Sequence, residues 1–238
     1  MDDEELARRS ILGFGETIAA LGRCAAGPDA EIRRSDALGA RIDSAGENPW
    51  FNAAVVPFGA SPPPDDPGLP YCVWTDGEAA SGRVEAPEVV TPCMALSLDD
   101  PSLELDDAAR EPDSPSLEVL GEVNERAYDD PGGPFGPLMR ALRDDRVRTH
   151  GLRRDGAFVC VAMTLRLGDD VSIQYVATEA SQRRRGLAGQ LLRDVMSRAR
   201  ADGMASATLQ ASPDGLSVYR RLGFREVATL RGYVRPDG

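Results

Sequence analysis

Between Val171 and Arg200 the apolar positions first recur every second residue and then every third or fourth. That change of period predicts a strand, a turn and a helix. Val171, Ile173, Tyr175 and Ala177 fall on one strand face, and Ser172, Gln174 and Val176 on the other. Leu191, Leu192, Val195, Met196 and Ala199 then form the apolar stripe of a helix, with Gly203 as its C-cap.

The same pattern divides the rest of the chain. Glu4 to Cys24 reads as an amphipathic helix built on Leu6, Ile11, Leu12, Phe14, Ile18 and Leu21, although Gly13, Gly15 and Gly22 weaken it. Gly27-Pro28 ends that helix, and Gly46 to Pro49 forms a turn. Trp50–Pro57, Tyr71–Thr75 and Cys93–Leu98 are strand-like, with a proline-rich loop from Ser61 to Pro70. Trp50, Phe51, Tyr71 and Trp74 read as core residues. Asp99 to Ser116 is acidic and broken by prolines, which places a domain boundary near Asp100 and gives domains 1–100 and 101–238.

In the second domain Ser102–Ala108 is a candidate first strand. Ser116–Tyr128 and Phe135–Leu142 are candidate helices separated by Pro131 to Pro134. Arg146–Arg153, Ala157–Leu167 and Asp170–Thr178 read as strands with glycine turns between them, and Ala205–Gln210 as another. Ser212 is placed to N-cap a short helix starting at Pro213, with Leu216, Tyr219 and Leu222 aligned and Gly223 ending it. Phe224–Val234 closes the chain as a strand or strand pair. The fold class is α/β (α+β), a mixed central sheet flanked by helices.

Composition narrows the function. No apolar run approaches membrane-spanning length, and the start, Met1-Asp-Asp-Glu-Glu, lacks the basic and apolar stretches of a secretion signal. Cys24, Cys72, Cys93 and Cys160 are scattered and there is one histidine, so a metal site is not expected, and the cysteines read as reduced thiols of a cytoplasmic protein. Every basic residue is arginine. Residues 1–150 carry 13 arginines against 30 acids, and residues 151–238 carry 14 against 9. A basic last part fits an anionic ligand held there, whereas the net charge of −12 argues against nucleic acid as a partner.

The chemistry sits at the junction of the strand and helix described first. Arg183-Arg184-Arg185-Gly186-Leu187-Ala188-Gly189 opens the helix. A helix start leaves backbone N–H groups unpaired and carries partial positive charge, and small residues let a phosphate approach them. Alone, the segment also reads as a solvated basic turn. Arg183-x-x-Gly186-x-Ala188, however, resembles the (Gln/Arg)-x-x-Gly-x-(Gly/Ala) signature of the GNAT acyl-CoA-dependent N-acetyltransferases. Ser212-Pro-Asp-Gly215-Leu216-Ser-Val218-Tyr219-Arg-Arg-Leu222-Gly223-Phe224 resembles the second hallmark of that family, in the right order and about thirty residues later. The resemblance covers Leu103 to Arg235. Its predicted order of elements, β-α-α-β-β-β-α-β-α-β, is that of the family. More faintly, the first domain resembles the degenerate N-terminal halves of two-domain GNAT proteins, with an unrelated cap as the other reading.

The resemblance implies an acetyl-CoA cosubstrate and transfer of acetyl to the primary amine of a small molecule or peptide. Backbone N–H groups from Arg184 to Gly189, with guanidinium support from Arg183, Arg184 and Arg185, would hold the pyrophosphate. Tyr175, Val176, Ala177 and Thr178 would pair with the pantetheine arm, and the Val176 N–H would face the thioester oxygen. Ser212 stands where the family commonly has a cofactor-contacting Asn, and Gly215 where it has Ala. Tyr219 matches the general acid of the family, although spacing alone reads it as a core aromatic. No base is named: Ser172 and Gln174 are not bases, Glu179 reads as a solvated charge and His150 as a partly buried structural residue. A non-catalytic acyl-CoA-binding module is the alternative. The acceptor amine and the oligomeric state are not legible in the sequence.

Overall fold

The computed structural model describes the chain except for residues 26–30, 34–38, 44–48, 51, 63–68, 80–82, 84–85, 107–111, 130, 132, 134 and 237–238. Gly27-Pro28, Gly46, Phe51, most of the proline-rich loop and the end of the Ser102–Ala108 segment lie outside the described residues. The chain forms two compact units. The first comprises Met1–Met94, Gln210–Ser212 and Glu226–Gly238, and the second Ala95–Leu209 and Pro213–Arg225.

In the first unit helix α1 (Asp3–Ala25) runs unbroken through its glycines. It is started by the Asp2 carboxylate, which accepts the Glu5 N–H at 2.9 Å, and Asp3, Glu4 and Glu5 in its first turn complement the helix dipole. Gly22 is a packing residue: a Cβ there would lie 2.3 Å from Ile42 Cδ1, so only glycine lets the helix come this close to the sheet. Tertiary contact thus outweighs the low helix propensity of glycine. Strands β1 (Glu31–Arg33), β2 (Ala40–Asp43), β3 (Ala53–Val55) and β4 (Cys72–Thr75) lie in that order, with β10 (Arg225–Val234) beside β4. All neighbours are antiparallel except β3 and β4, which are parallel. Ile11, Phe14 and Ile18 of the helix pack on Ile42, Val55, Trp74, Cys93 and Leu230. Trp74 is fully buried, its indole N–H donating to Pro49 O at 2.9 Å. Trp50 is 40% exposed but lays its ring 5.2 Å from that of Trp74, so the expected core placement holds only partly for it.

The second unit follows the expected order of elements with one correction. No strand forms over 102–106; the strand that precedes the helix pair is β5 (Val89–Ser97), which begins earlier than the expected Cys93. Then come α2 (Leu117–Ala127), α3 (Phe135–Ala141), β6 (Val147–Arg154), β7 (Ala157–Leu167), β8 (Asp170–Thr178), α4 (Leu187–Ala201), β9 (Ser206–Gln210) and α5 (Leu216–Arg221). Ser116 caps α2, its hydroxyl accepting the Val119 N–H at 3.2 Å. The strand order is β9-β8-β7-β6. β6, β7 and β8 form an antiparallel meander, and β8 pairs in parallel with β9 through the α4 crossover. The apolar stripe of α4 is buried as its period predicts, with Leu191, Leu192 and Met196 fully covered.

One polar group fixes the closed end of the β8–β9 pair. The Asp170 carboxylate, 2% exposed, accepts the Ser206 hydroxyl at 2.6 Å and the Thr208 hydroxyl at 2.8 Å. Asp170→Ala would leave both hydroxyls buried without this acceptor. Urea denaturation should show a loss of about 3 kcal/mol in unfolding free energy; a change below about 0.5 kcal/mol would contradict this role.

Candidate active site

The β8–β9 pairing stops early. The register runs from Asp170↔Ser206 to Ile173↔Leu209, so Gln174–Thr178 have no β9 partner, while Gln174, Ala177 and Thr178 keep β7 on the other side. This open edge holds every strand residue expected at the site. It also carries an irregularity that the sequence did not announce. Met163 pairs with Gln174 but Val161 pairs with Ala177, so β8 carries one extra residue across the interval. Tyr175 lies in this bulge at φ 51°, the left-handed region that bulky residues rarely enter. A one-residue insertion reverses the side-chain alternation. The expected single face of Val171, Ile173, Tyr175 and Ala177 is therefore broken: Ala177 shares its face with Gln174, and Thr178 with Ile173. Tyr175 and Val176 fall inside the slip, outside the β7 register.

A short 3-10 turn, Ala180–Gln182, leads from β8 to α4. Arg184 at φ 60° and Gly186 at φ 78° turn the chain into the helix. Gly186 is the N-cap residue, and it has no side chain to cap the first turn. A Cβ at Gly186 would meet no atom within 4 Å, and one at Gly189 none nearer than 3.9 Å. The first-turn N–H groups of Leu187, Ala188 and Gly189 have no intrahelical acceptor by construction. The Leu187 side chain is buried, while Arg184 and Arg185 are exposed. A helix start of this kind, opened by a glycine, suits a phosphate group.

Arg183 is placed differently from the other two arginines. Its guanidinium turns back to donate to Thr178 O at 3.2 Å and to Ala127 O. It thereby links the end of β8 to the last turn of α2, where a cation complements the helix dipole. Arg126 does the same from the other side, pairing with Glu179 at 2.9 Å. Glu179 is therefore an ion-pair partner, not simply a solvated charge.

Tyr219 on α5 is 7% exposed. Its ring sits over Gly215, where a Cβ would lie 2.6 Å from Cε2 and 3.2 Å from the phenolic oxygen. The Gly in place of Ala thus makes room for the tyrosine. Burial, with smaller contributions from Tyr128 and Cys160, holds the phenol above its ordinary range, so it stays protonated. Cys160 is itself raised to about 11 by burial and receives the Thr178 hydroxyl at 3.2 Å. The helix of Tyr219 starts later than expected. The turn Pro213–Gly215 precedes it, and Gly215, not Ser212, is its N-cap residue; Ser212 is exposed and belongs to the first unit.

The acid–base candidates are committed elsewhere. His150 bonds Thr164 Oγ1 at 2.9 Å, and burial, then Arg148, lowers it to about 4, so the ring is neutral at pH 7. The Gln174 amide donates to Ser172 Oγ at 2.9 Å. Glu125 escaped the sequence reading. It is 5% exposed on α2 and accepts the Gly136 N–H at 2.6 Å. An acid four residues after Gly121, among the buried positions of α2, was the signal available. Among the described residues no group of three or more His, Cys, Asp or Glu side chains is placed to hold a metal ion, and no helix is long and apolar enough to cross a membrane.

Comparison with known proteins agrees with this architecture. Residues 137–233 match the model of the acetyltransferase (GNAT) domain. This part of the chain is thus similar to the GNAT acetyltransferase domain, whose family draws its acyl group from acyl-CoA. The fold is similar to that of a GNAT-family protein from Novosphingobium aromaticivorans DSM 12444, with a TM-score of 0.59 and 20% identity over 98% of this chain and 99% of that one. It is also similar to a GCN5-related N-acetyltransferase from Kribbella flavida, with a TM-score of 0.58 and 18% identity over 98% and 96%. At these identities the likeness concerns the fold, and it extends through both units. No curated protein matches the sequence.

Proposed function

We propose that the chain is an N-acetyltransferase that passes the acetyl group of acetyl-CoA directly to a primary amine of a small molecule or peptide in the cytoplasm. The observation that carries this reading is the open edge of β8, beginning where its pairing with β9 ends and leading into the start of α4. An extended pantetheine arm would add to Gln174–Thr178 as a further strand. The pyrophosphate would rest on the N–H groups from Arg184 to Gly189, with Arg184 and Arg185 as counter-charges. The room at Gly186, where even an added Cβ would meet no atom within 4 Å, supports this assignment.

In the reaction the amine nitrogen bonds to the thioester carbonyl carbon, the C–S bond breaks, and the sulfur leaves with the electron pair. The Val176 N–H would stabilise charge on the carbonyl oxygen. Tyr219 would donate a hydrogen bond as charge builds on sulfur. Its raised pKa makes complete proton transfer less favourable than for a free phenol and favours this donor role. The proton of the amine would leave through water, since the nearby carboxylate of Glu179 is paired with Arg126. We place the boundary of the transferase domain near Asp100 and read the first domain as a cap or degenerate GNAT-like domain.

That commitment of His150 and Glu179 favours a second reading, a non-catalytic acyl-CoA-binding module. Thiol release from acetyl-CoA over a panel of polyamines, aminoglycosides, amino acids and peptides separates the two. Amine-dependent release supports the enzyme. Saturable acetyl-CoA binding with no release above the amine-free rate on the whole panel supports the module.

A further inference from the structure

We propose that Tyr175 and Phe135 form an aromatic wall that closes the acyl end of the site and restricts the donor to short acyl chains. The inference rests on the acyl-CoA reading above and deepens it. Its starting point is the backbone of Tyr175. Glycine or asparagine would occupy φ 51° with less strain, yet a bulky aromatic is held there. The bulge takes its ring out of the strand alternation and sets it 4.9 Å from the Phe135 ring, tilted by 47°. Both rings are half-buried. They stand where β8 parts from β9, at the start of the edge assigned to the pantetheine and thioester.

The wall is firmly backed. Phe135 opens α3, and α3 is locked against α2: a Cβ at Gly121 would lie 2.6 Å from Gly136 Cα, so the two backbones touch. The buried Glu125 carboxylate holds the Gly136 N–H at 2.6 Å, one residue from Phe135. The helix pair is tied to β8 and the turn after it by Arg126–Glu179 and by Arg183, which bonds both Ala127 O and Thr178 O. A longer acyl chain extending from a thioester near Val176 would have to displace two packed rings supported by a helix pair that cannot recede. An acetyl group would not.

Calorimetric titration with free CoA, acetyl-CoA and hexanoyl-CoA tests this without knowledge of the acceptor. The unmodified protein is expected to bind hexanoyl-CoA at least about tenfold more weakly than acetyl-CoA. In Phe135→Ala the two should come within about threefold, with the affinity for free CoA unchanged. Phe135→Leu, which removes the ring plane but retains most of the packing volume, should shift the ratio in the same direction by less. Equal binding of the two acyl-CoAs by the unmodified protein would overturn the wall. So would undiminished discrimination in both variants while free CoA still binds. Failure of free CoA to bind the unmodified protein is a different result: it removes the acyl-CoA reading itself, and the wall with it.

Discussion

Tyr219→Phe is expected to lower turnover about a hundredfold while leaving affinity for acetyl-CoA and thermal stability nearly unchanged. The separation follows from how the residue is seated. The ring occupies the space above Gly215 and meets Phe224 edge-on at 6.0 Å, and phenylalanine keeps both contacts. Only the hydroxyl is lost. If the phenol donates to the departing sulfur, its removal costs stabilisation that exists mainly in the transition state. A hundredfold effect corresponds to about 2.7 kcal/mol, within the range of one well-placed donor in a site shielded from water. A purely structural tyrosine predicts the opposite pattern, a lower melting temperature with normal turnover per folded molecule. Steady-state kinetics with any accepted amine, beside a melting curve, distinguishes the two. Turnover within about threefold of the unmodified enzyme for every good acceptor would remove Tyr219 from the chemistry.

Gly186→Glu should weaken acetyl-CoA binding by at least about a hundredfold. Three effects act in the same direction. At φ 78° a residue with a Cβ is strained by about 1 kcal/mol, which tends to shift the turn that presents the first N–H groups of α4. The side chain enters space that is otherwise open, where we place the pyrophosphate. Its carboxylate both repels that anion and can accept the N–H groups meant for it. Because no atom lies within 4 Å of the new Cβ, the fold has nothing to clash with, and loss of binding should come without loss of structure. Gly186→Ala separates the contributions: it carries the backbone strain without the charge and should weaken binding by only about tenfold.

What the sequence revealed depended on whether a feature is local. The buried stripe of α4, the β6–β7–β8 meander and the α2–α3 pair follow from period and turn chemistry, because each is set by residues near one another in the chain. The glycine at the start of α4 was legible for the same reason: its neighbours define the turn. Tyr175 was not. Its two-residue alternation continues through the bulge as if the strand were regular, since the extra residue shows only in the register against β7. Helix α1 was understated because Gly22 acts through Ile42, twenty residues away, and not through its own propensity. The role of Arg183 was hidden similarly. Three consecutive arginines look equivalent as charges, and only the positions of Ala127 and Thr178 single out the one that ties the framework together. The later start of α5, with Gly215 as its N-cap residue, was not contained in the Ser212-Pro213 capping pattern.

The central claim is that the open edge of β8 and the start of α4 hold acyl-CoA. Calorimetric titration of acetyl-CoA into the unmodified protein, beside Gly186→Glu, tests it most directly. The account predicts saturable binding at one site with a dissociation constant on the order of micromolar, lost in the variant. No binding by the unmodified protein, or equal binding by the two, would contradict it.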